Sequence, residues 1–326
     1  MKRFLVITFY SIAFITCGTK TEPKSDNASL IKPKEIRVLV DTLNIPITGS
    51  LSKVVLFRDN FYVMFETSRE NTSESFKKMI VLNQKGQFIE DVFVPKEIQE
   101  MPHYDLIVDN DSLYVKESQF EKLNFVLGEY VADFKLMQSK EFAIFKDDNY
   151  NIYSSCNGEF GGTIYFQNIK TKKNYEAAST CPTVVNKIGN DYYITNYMGH
   201  MNHFASVLKI SDPVKLEQSD LDFKTQQGSQ FNKGVEILID TIGFYISTSF
   251  VTDNRLLNLY SDKQGAYIGE IINKKINPVY KFDFAFSAFF SQQLSDGRQI
   301  ATCYFPDKKN GILMISGNDF HFYKLQ

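Results

Sequence analysis

The stretch Arg58-Asp59-Asn60-Phe61-Tyr62-Val63-Met64-Phe65, RDNFYVMF, reads as a β-strand approached through a tight polar turn. Asp and Asn tolerate the left-handed backbone that two-residue hairpin turns require, and the aromatic and β-branched residues that follow suit an extended, half-buried strand. Variants of the stretch recur along the chain. Aligned on the apolar residue at their end, they are DNFYV at Val63, DSLYV at Val115, DNYNI at Ile152, NDYYI at Ile194, IGFYI at Ile246 and DGRQI at Ile300. That residue is Val or Ile each time. An apolar run precedes every copy: KVVLF at 53–57, DLIV at 105–108, EFAIF at 141–145, TVVNKI at 183–188, VEILI at 235–239 and SAFFSQQL at 287–294.

Each unit therefore opens with a hairpin, and a second hairpin follows. It is clearest in MIVLNQKGQFIEDV at 79–92, LLNLYSDKQGAYIGEI at 256–271 and ILMISGNDFHFYKL at 312–325, and weaker in LNFVLGEYVADF at 123–134, TIYFQNIKTKKNYEA at 163–177 and SVLKISDPVKLEQ at 206–218. Four short antiparallel strands repeated six times predict an all-β chain, a six-bladed β-propeller over residues 36–326. The segment EIRVLVDT at 35–42 is surplus to the units and is expected to close the ring as an outer strand against the last blade. A two-domain β-sandwich is the rival architecture, but its strands would not repeat in fours.

Composition narrows the functions. With 43% hydrophobic and 23% charged residues the chain of 326 can bury a large core, and its net charge of −2, with the basic residues scattered, gives no footprint for nucleic acid. The 29 Phe and 18 Tyr suit β structure. The absence of Trp removes the signature residue of sialidase-type Asp boxes and of tryptophan-docking propeller repeats, and lowers a carbohydrate reading that Tyr can still support.

The N-terminus carries Lys2 and Arg3, the apolar run FLVITFYSIAFI from Phe4 to Ile15, and then Thr16-Cys17-Gly18. About twelve apolar residues are too few to span a bilayer, which takes about 20 in a helix, so residues 1–16 read as an export signal. The segment resembles a bacterial lipoprotein signal, with FITC in the lipobox position and Cys17 as the acylated first residue of the mature chain. Residues 17–35, polar and rich in Lys, Ser and Pro, read as a flexible tether. Together with the repeat, this makes the chain resemble the six-bladed β-propeller lipoproteins common in Bacteroidota, most closely in SLSKVVLFRDNFYVMF at 50–65 followed by KKMIVLNQKGQFIEDVF at 77–93. It lacks the Gly-Gln-Gly-Pro-type loop of many members, with Val94-Pro95-Lys96 standing nearby. The resemblance implies the propeller fold and lipid anchorage in the cell envelope, and it supplies no catalytic residues.

Candidate chemistry is sparse. With Cys17 acylated, Cys156 and Cys181 fall at facing ends of the third and fourth units, where a disulfide is expected in an exported protein; three buried thiols is the alternative, and Cys303 in QIATCYF is expected to be one. His200 and His203 share the loop NYMGHMNHF at metal-ligand spacing, but no motif supplies a third ligand, so no metal and no cofactor is expected. Acidic pairs such as Asp147-Asp148 fall in turns and are expected to be solvated. CNGEFGG at 156–162 has neither the glycine spacing nor the helix that a phosphate cradle needs. The second-to-third-strand connections ETSRENTSESFK at 66–77, SSCNGEFGG at 154–162, TNYMGHMNH at 195–203 and YFPDKKN at 304–310 are long, and so is EQSDLDFKTQQGSQFNKG at 217–234, read as a link between blades on the same face, whereas the first-to-second-strand turns are short, so one face is expected to carry recognition. Tyr197, His200 and His203 are the leading ligand-binding candidates, with His103, Asn157 and Glu159 behind them. The expected function is a monomeric, lipid-anchored module of the bacterial envelope, at the outer membrane, that binds a protein, glycan or small molecule. The alternative is an extracytoplasmic hydrolase or lyase with its site at the central channel.

Overall fold

The computed structural model describes residues 35–45, 49–68, 75–117, 124–127, 134–137, 141–198, 204–220 and 228–326, so Cys17 and the sequence before Glu35 lie outside them. A first strand, β1 (Arg37–Leu43), precedes blade one, which is β2 (Ser50–Phe57), β3 (Asn60–Ser68), β4 (Ser75–Asn83) and β5 (Phe88–Val92). A short helix, α1 (Lys96–Gln99), leads to blade two: β6 (Tyr104–Asp109), β7 (Ser112–Glu117), β8 (Asn124–Leu127) and β9 (Phe134–Met137). Blade three has β10 (Phe145–Lys146), β11 (Tyr150–Cys156), β12 (Gly162–Asn168) and β13 (Asn174–Ala178). Blade four has β14 (Pro182–Ile188), β15 (Asp191–Met198) and β16 (Phe204–Ile210); β17 (Glu217–Ser219) then leaves it, and β18 (Glu236–Ile242) completes it. Blade five is β19 (Tyr245–Thr252), β20 (Arg255–Asp262), β21 (Gly265–Ile272) and β22 (Lys275–Lys281). Blade six is β23 (Ser287–Gln293), β24 (Gln299–Tyr304), β25 (Asn310–Ser316) and β26 (Asp319–Leu325).

These strands form six sheets, each a four-stranded antiparallel meander, which is the six-bladed β-propeller that the repeat predicts. The surplus strand β1 lies outside blade six, parallel to β26 from Arg37 opposite Asp319 to Leu43 opposite Leu325. An Arg37–Asp319 ion pair and a 2.8 Å contact between His321 Nε2 and Asp41 Oδ2 reinforce it.

The repeated stretch owes its form to the first hairpin. Arg58-Asp59 (φ 49° and 61°), Asn110-Asp111 (47° and 57°) and Asp253-Asn254 (48° and 60°) all hold positive φ at both turn residues, the type I′ geometry that matches strand twist. The third of these turns corrects the register of one blade. In blade five the second strand opens with Arg255-Leu256-Leu257-Asn258, so Ile246 is not in it, and the fourth residue from the turn, where Val63, Val115 and Ile194 stand in their blades, is Asn258. Ile246 lies in the first strand, VEILI belongs mostly to β18, and the LLNLYSDKQGAYIGEI hairpin supplies second and third strands. Gly243 (φ 106°), in the link between blades, imitates a hairpin turn in the sequence, and the Val-or-Ile rule favoured Ile246 over the true position, which holds an asparagine.

The same correction changes the long segment 211–235. It joins the third and fourth strands of blade four and is not a link between blades. After the Asp212-capped turn at Pro213–Lys215, β17 pairs with β13 as a fifth strand on blade three. Glu176 accepts hydrogen bonds from Ser219 Oγ (2.7 Å) and Ser229 Oγ (2.9 Å), fastening both ends of this wrap. Gly228 donates to Phe160 O; a Cβ there would stand 2.2 Å from Gly162 N, so the glycines of CNGEFGG serve a close backbone approach.

Buried apolar clusters fill five of the six seams between neighbouring blades among the described residues. Met79 and Leu106 mark the seam between blades one and two, Phe166 and Ile194 three and four, Val207 and Tyr260 four and five, Ile268 and Phe322 five and six, and Ile312 and Phe61 six and one. Between blades two and three the contacts among the described residues include the Tyr114–Phe142 ring pair at 4.8 Å and the ion pairs Lys116–Glu141 and Lys146–Asp109.

Four innermost strands carry a β-bulge, and the extra residue is a hydroxyl-bearing one each time: Ser52 in β2, Thr183 in β14, Ser247 in β19 and Ser291 in β23. A bulge bends a strand and re-aims a side chain. Beside these bulges a polar network binds blades four to six: Asn186 Nδ2 donates to Ser249 O (2.8 Å), Gln299 Nε2 to the same carbonyl (2.6 Å), and Gln293 Nε2 to Asn186 Oδ1 (3.4 Å). Gln292 holds both Leu56 N and Leu56 O, joining blade six to blade one.

Candidate binding face at the channel mouth

First strands begin, and second strands end, on one face of the ring. There four aromatic side chains from blades four, five and six meet. Tyr197 is the next-to-last residue of β15, Tyr245 begins β19, Phe289 lies near the start of β23, and Tyr304 ends β24. Ring centroids are 5.8 Å apart for Tyr197–Tyr245, 6.1 Å for Tyr197–Phe289, 6.3 Å for Tyr245–Phe289 and 5.5 Å for Phe289–Tyr304. The Tyr245 and Phe289 planes lie 10° from parallel, and Phe289 is 37% exposed, so the cluster presents ring surface to solvent. Tyr304 Oη donates to Leu51 O (2.6 Å), which fixes its ring against blade one. Burial, with Tyr245 beside it, pushes the Tyr197 phenol up to about 12, so it remains a neutral hydroxyl at physiological pH.

Blades one and two supply the opposite, polar part of this face. Glu66 Oε1 accepts from Ser52 Oγ (2.9 Å) and Tyr104 Oη (2.9 Å), and Lys53 Nζ reaches Asp105 Oδ1 at 2.5 Å. The Ser52 bulge is what turns that hydroxyl towards Glu66. Behind them Lys77, 3% exposed, donates to Gln99 O (2.8 Å) with its ammonium 5.4 Å from the Tyr104 ring centre. Burial lowers the Lys77 pKa and the nearby Glu66 carboxylate opposes that shift. Burial raises the Tyr104 phenol, so it stays a hydrogen donor.

Two clefts of about 580 Å³ each open here. The inner one is bounded by Ser52, Lys53, Ser287, Phe289, Thr302 and Tyr304, and the outer one runs between blades five and six past Phe244, Tyr245, Gln264 and Phe286. Ser287 and Tyr304 line both, so the clefts adjoin. Each volume lies within the range of small-ligand sites.

Of the residues named from sequence, Tyr197 belongs to this cluster. His103 is exposed in the bend before β6, on the same face but at blade two. Asn157 opens the turn at Gly158–Phe160 on blade three, its amide donating to Gly161 O (2.8 Å). His200, His203 and the side chain of Glu159 lie outside the described residues. Cys156 and Cys181 are joined, with Cα atoms 4.3 Å apart, linking blades three and four beside the Tyr197 strand. Cys303 is fully buried, and burial raises its thiol pKa. Sequence reasoning missed Tyr245, Phe289 and Tyr304. Tyr304, like Tyr197, lies three or four residues beyond the aligned Ile, which places both at the same end of their strands; this was the available signal. Asp147, expected to be solvated, instead binds blade four through Lys187 and Tyr192, because the turn carries it against the neighbouring blade.

No family model matches the chain, and no curated protein matches it. Among solved structures it is similar to the β-propeller domain of the Trilobed protease from Pyrococcus furiosus, at 9% identity and a TM-score of 0.37, covering 85% of this chain and 98% of that one. It is similar also to the N-terminal domain of Nup159, at 9% identity and 0.36, covering 88% and 85%. A prolyl endopeptidase matches at 10% identity and 0.36 over 83% of this chain, which spans 42% of that chain's length. No functional argument follows from likenesses this distant; the fold stands on the strand pairing described above.

Proposed function

We propose that this protein is a non-enzymatic binding module, held at the bacterial envelope membrane by lipid on Cys17 and engaging its ligand through the channel mouth. The aromatic cluster of Tyr197, Tyr245, Phe289 and Tyr304 carries the reading. Rings held by a rigid scaffold and partly open to solvent supply contact area at little entropic cost. The neighbouring carboxylates favour the same reading over hydrolysis, since Glu66 accepts two hydroxyl hydrogens and Asp105 pairs with Lys53, both in structural contacts. Anchorage rests on the sequence of residues 1–17 and the polar tether after it.

Two measurements test this. Metabolic labelling with a clickable fatty acid is expected to mark the wild type and not Cys17→Ser; equal labelling removes the lipid anchor. Retention of solubilised envelope components on immobilised protein is expected to fall when Tyr197, Tyr245 and Phe289 are replaced together by Ala, and to persist in Asn110→Ala on the opposite face. Full retention by the folded triple variant removes the channel mouth from the function, and turnover of a substrate there establishes the hydrolase alternative.

A further inference from the structure

We infer that the ligand of the channel mouth is a neutral oligosaccharide, at least two sugar rings long; this rests on the binding reading above. The first observation is the pairing of charge. Lys53 is neutralised by Asp105, and Glu66 is occupied by Ser52 and Tyr104 with Lys77 behind it. In the outer cleft Asp262 and Lys263 carry opposite charges, and the inner cleft offers no unbalanced charge to select a phosphate, a nucleotide or an ionic peptide end. What it offers is ring surface and small polar groups. Phe289 exposes its ring, Tyr245 lies nearly parallel to it, and Ser287, Ser52 and the Lys53–Asp105 pair stand at the same cleft or beside it.

A pyranose matches that combination. Its axial C–H bonds form an apolar face that packs on an aromatic ring, while its equatorial hydroxyls radiate sideways to hydrogen-bonding groups. An ion pair can serve hydroxyls without being broken, the carboxylate accepting and the ammonium donating. The size follows from the two adjoining clefts. The inner one holds Phe289 and the outer one Tyr245 with Phe244 and Phe286, and Ser287 and Tyr304 form their common wall. Each cleft presents an aromatic surface of its own, so a linked pair of sugar rings is needed to engage both.

The experiment uses the full-length chain in a sugar-free detergent, with saturation-transfer NMR on millimolar cellobiose, laminaribiose, lactose, maltose and chitobiose. At least one is expected to bind, with saturation concentrated on ring C–H protons. Phe289→Ala and Phe289→Leu, each checked for folding by its melting curve, are expected to weaken binding about tenfold, since leucine keeps apolar bulk but loses the ring. Asn110→Ala is expected to bind normally. Absence of signal from every sugar overturns the inference, as does sugar binding unchanged in both Phe289 variants. A neutral phenylalanine-containing tetrapeptide that binds through Phe289 while the sugars do not assigns the cleft to peptides. If the sugars fail but envelope components are still retained through Tyr197, Tyr245 and Phe289, the binding module stands and only its ligand class is wrong.

Discussion

Asp147 shows how one turn residue ties two blades. Its carboxylate accepts from Lys187 Nζ at 2.5 Å and Tyr192 Oη at 2.7 Å on blade four, and from its own turn amides Asn149 N and Tyr150 N, each at 2.8 Å. Burial alone would raise its pKa, but the hydrogen bonds from Lys187, Tyr192 and the two amides together prevail and hold it below the ordinary carboxylate value. The sign of the pH dependence follows. A carboxyl whose folded pKa is depressed stabilises the fold fully above the unfolded value, about 3.9, and loses that contribution as pH falls through the folded value. Asp147→Asn should therefore cost about 1–3 kcal/mol at neutral pH, typical of a lost charge-assisted hydrogen bond, and the difference from wild type should shrink below about pH 4. Thermal melts of both proteins across that range check it; a difference as large at about pH 3 as at pH 7 would show that the carboxylate's charge is irrelevant.

At the scale of the strand, a buried residue of each second strand decides whether a blade is correctly read. In blade five Leu257, two residues into the second strand, is 2% exposed and belongs to the apolar cluster shared with blade six. Leu257→Asp should be lost to unfolding, at a cost of about 4 kcal/mol or more, as should Ile194→Asp in blade four. Arg255→Ala, two residues earlier on a partly exposed pair with Glu270, should cost about 1 kcal/mol or less. Urea unfolding of the three variants measures the contrast, and a stable, soluble Leu257→Asp would break the register. Much of this was legible in the chain. Asp and Asn at turns and apolar residues two or three beyond them betrayed five of six second strands, because local turn geometry demands those residues. Blade five failed where the decoy Gly243 turn and a long insertion outweighed the true Asp253-Asn254 turn. The bulges at Ser52, Thr183, Ser247 and Ser291 were hidden, since adding one residue to a strand shifts register without altering composition. Tyr197 was found through loop length, whereas Tyr245 and Phe289 meet it only by ring closure, which no local pattern records.

Across the whole ring, the bulged blades and the plain ones are joined differently. Blades four, five, six and one have bulged inner strands and buried apolar seams; Asn186, Ser249, Gln293 and Gln299 form a shared network across blades four to six, and Gln292 ties blade six to Leu56 of blade one. Blades two and three have unbulged inner strands, β10 being two residues long, and their contacts among the described residues include one ring pair and two ion pairs. The magnitudes separate these cases. A fully buried large apolar side chain contributes about 1.5–3 kcal/mol, and a partly exposed ion pair about 0–1 kcal/mol. Salt adds a second difference, shortening the Debye length from about 10 Å at 0.1 M to about 3 Å at 1 M and weakening exposed pairs while leaving apolar contacts intact. Regions with fewer buried contacts open first in the native state. Native-state hydrogen exchange should therefore find the amides of Tyr104–Glu117 and Tyr150–Cys156 less protected than those of Tyr245–Asp262 and Gln299–Leu325. Raising salt to about 1 M should widen the gap, and Lys116→Ala or Lys146→Ala should reproduce part of the effect at low salt. If blade five opened before blades two and three, or if the exchange pattern ignored both salt and the lysines, the ring would have no weak seam there.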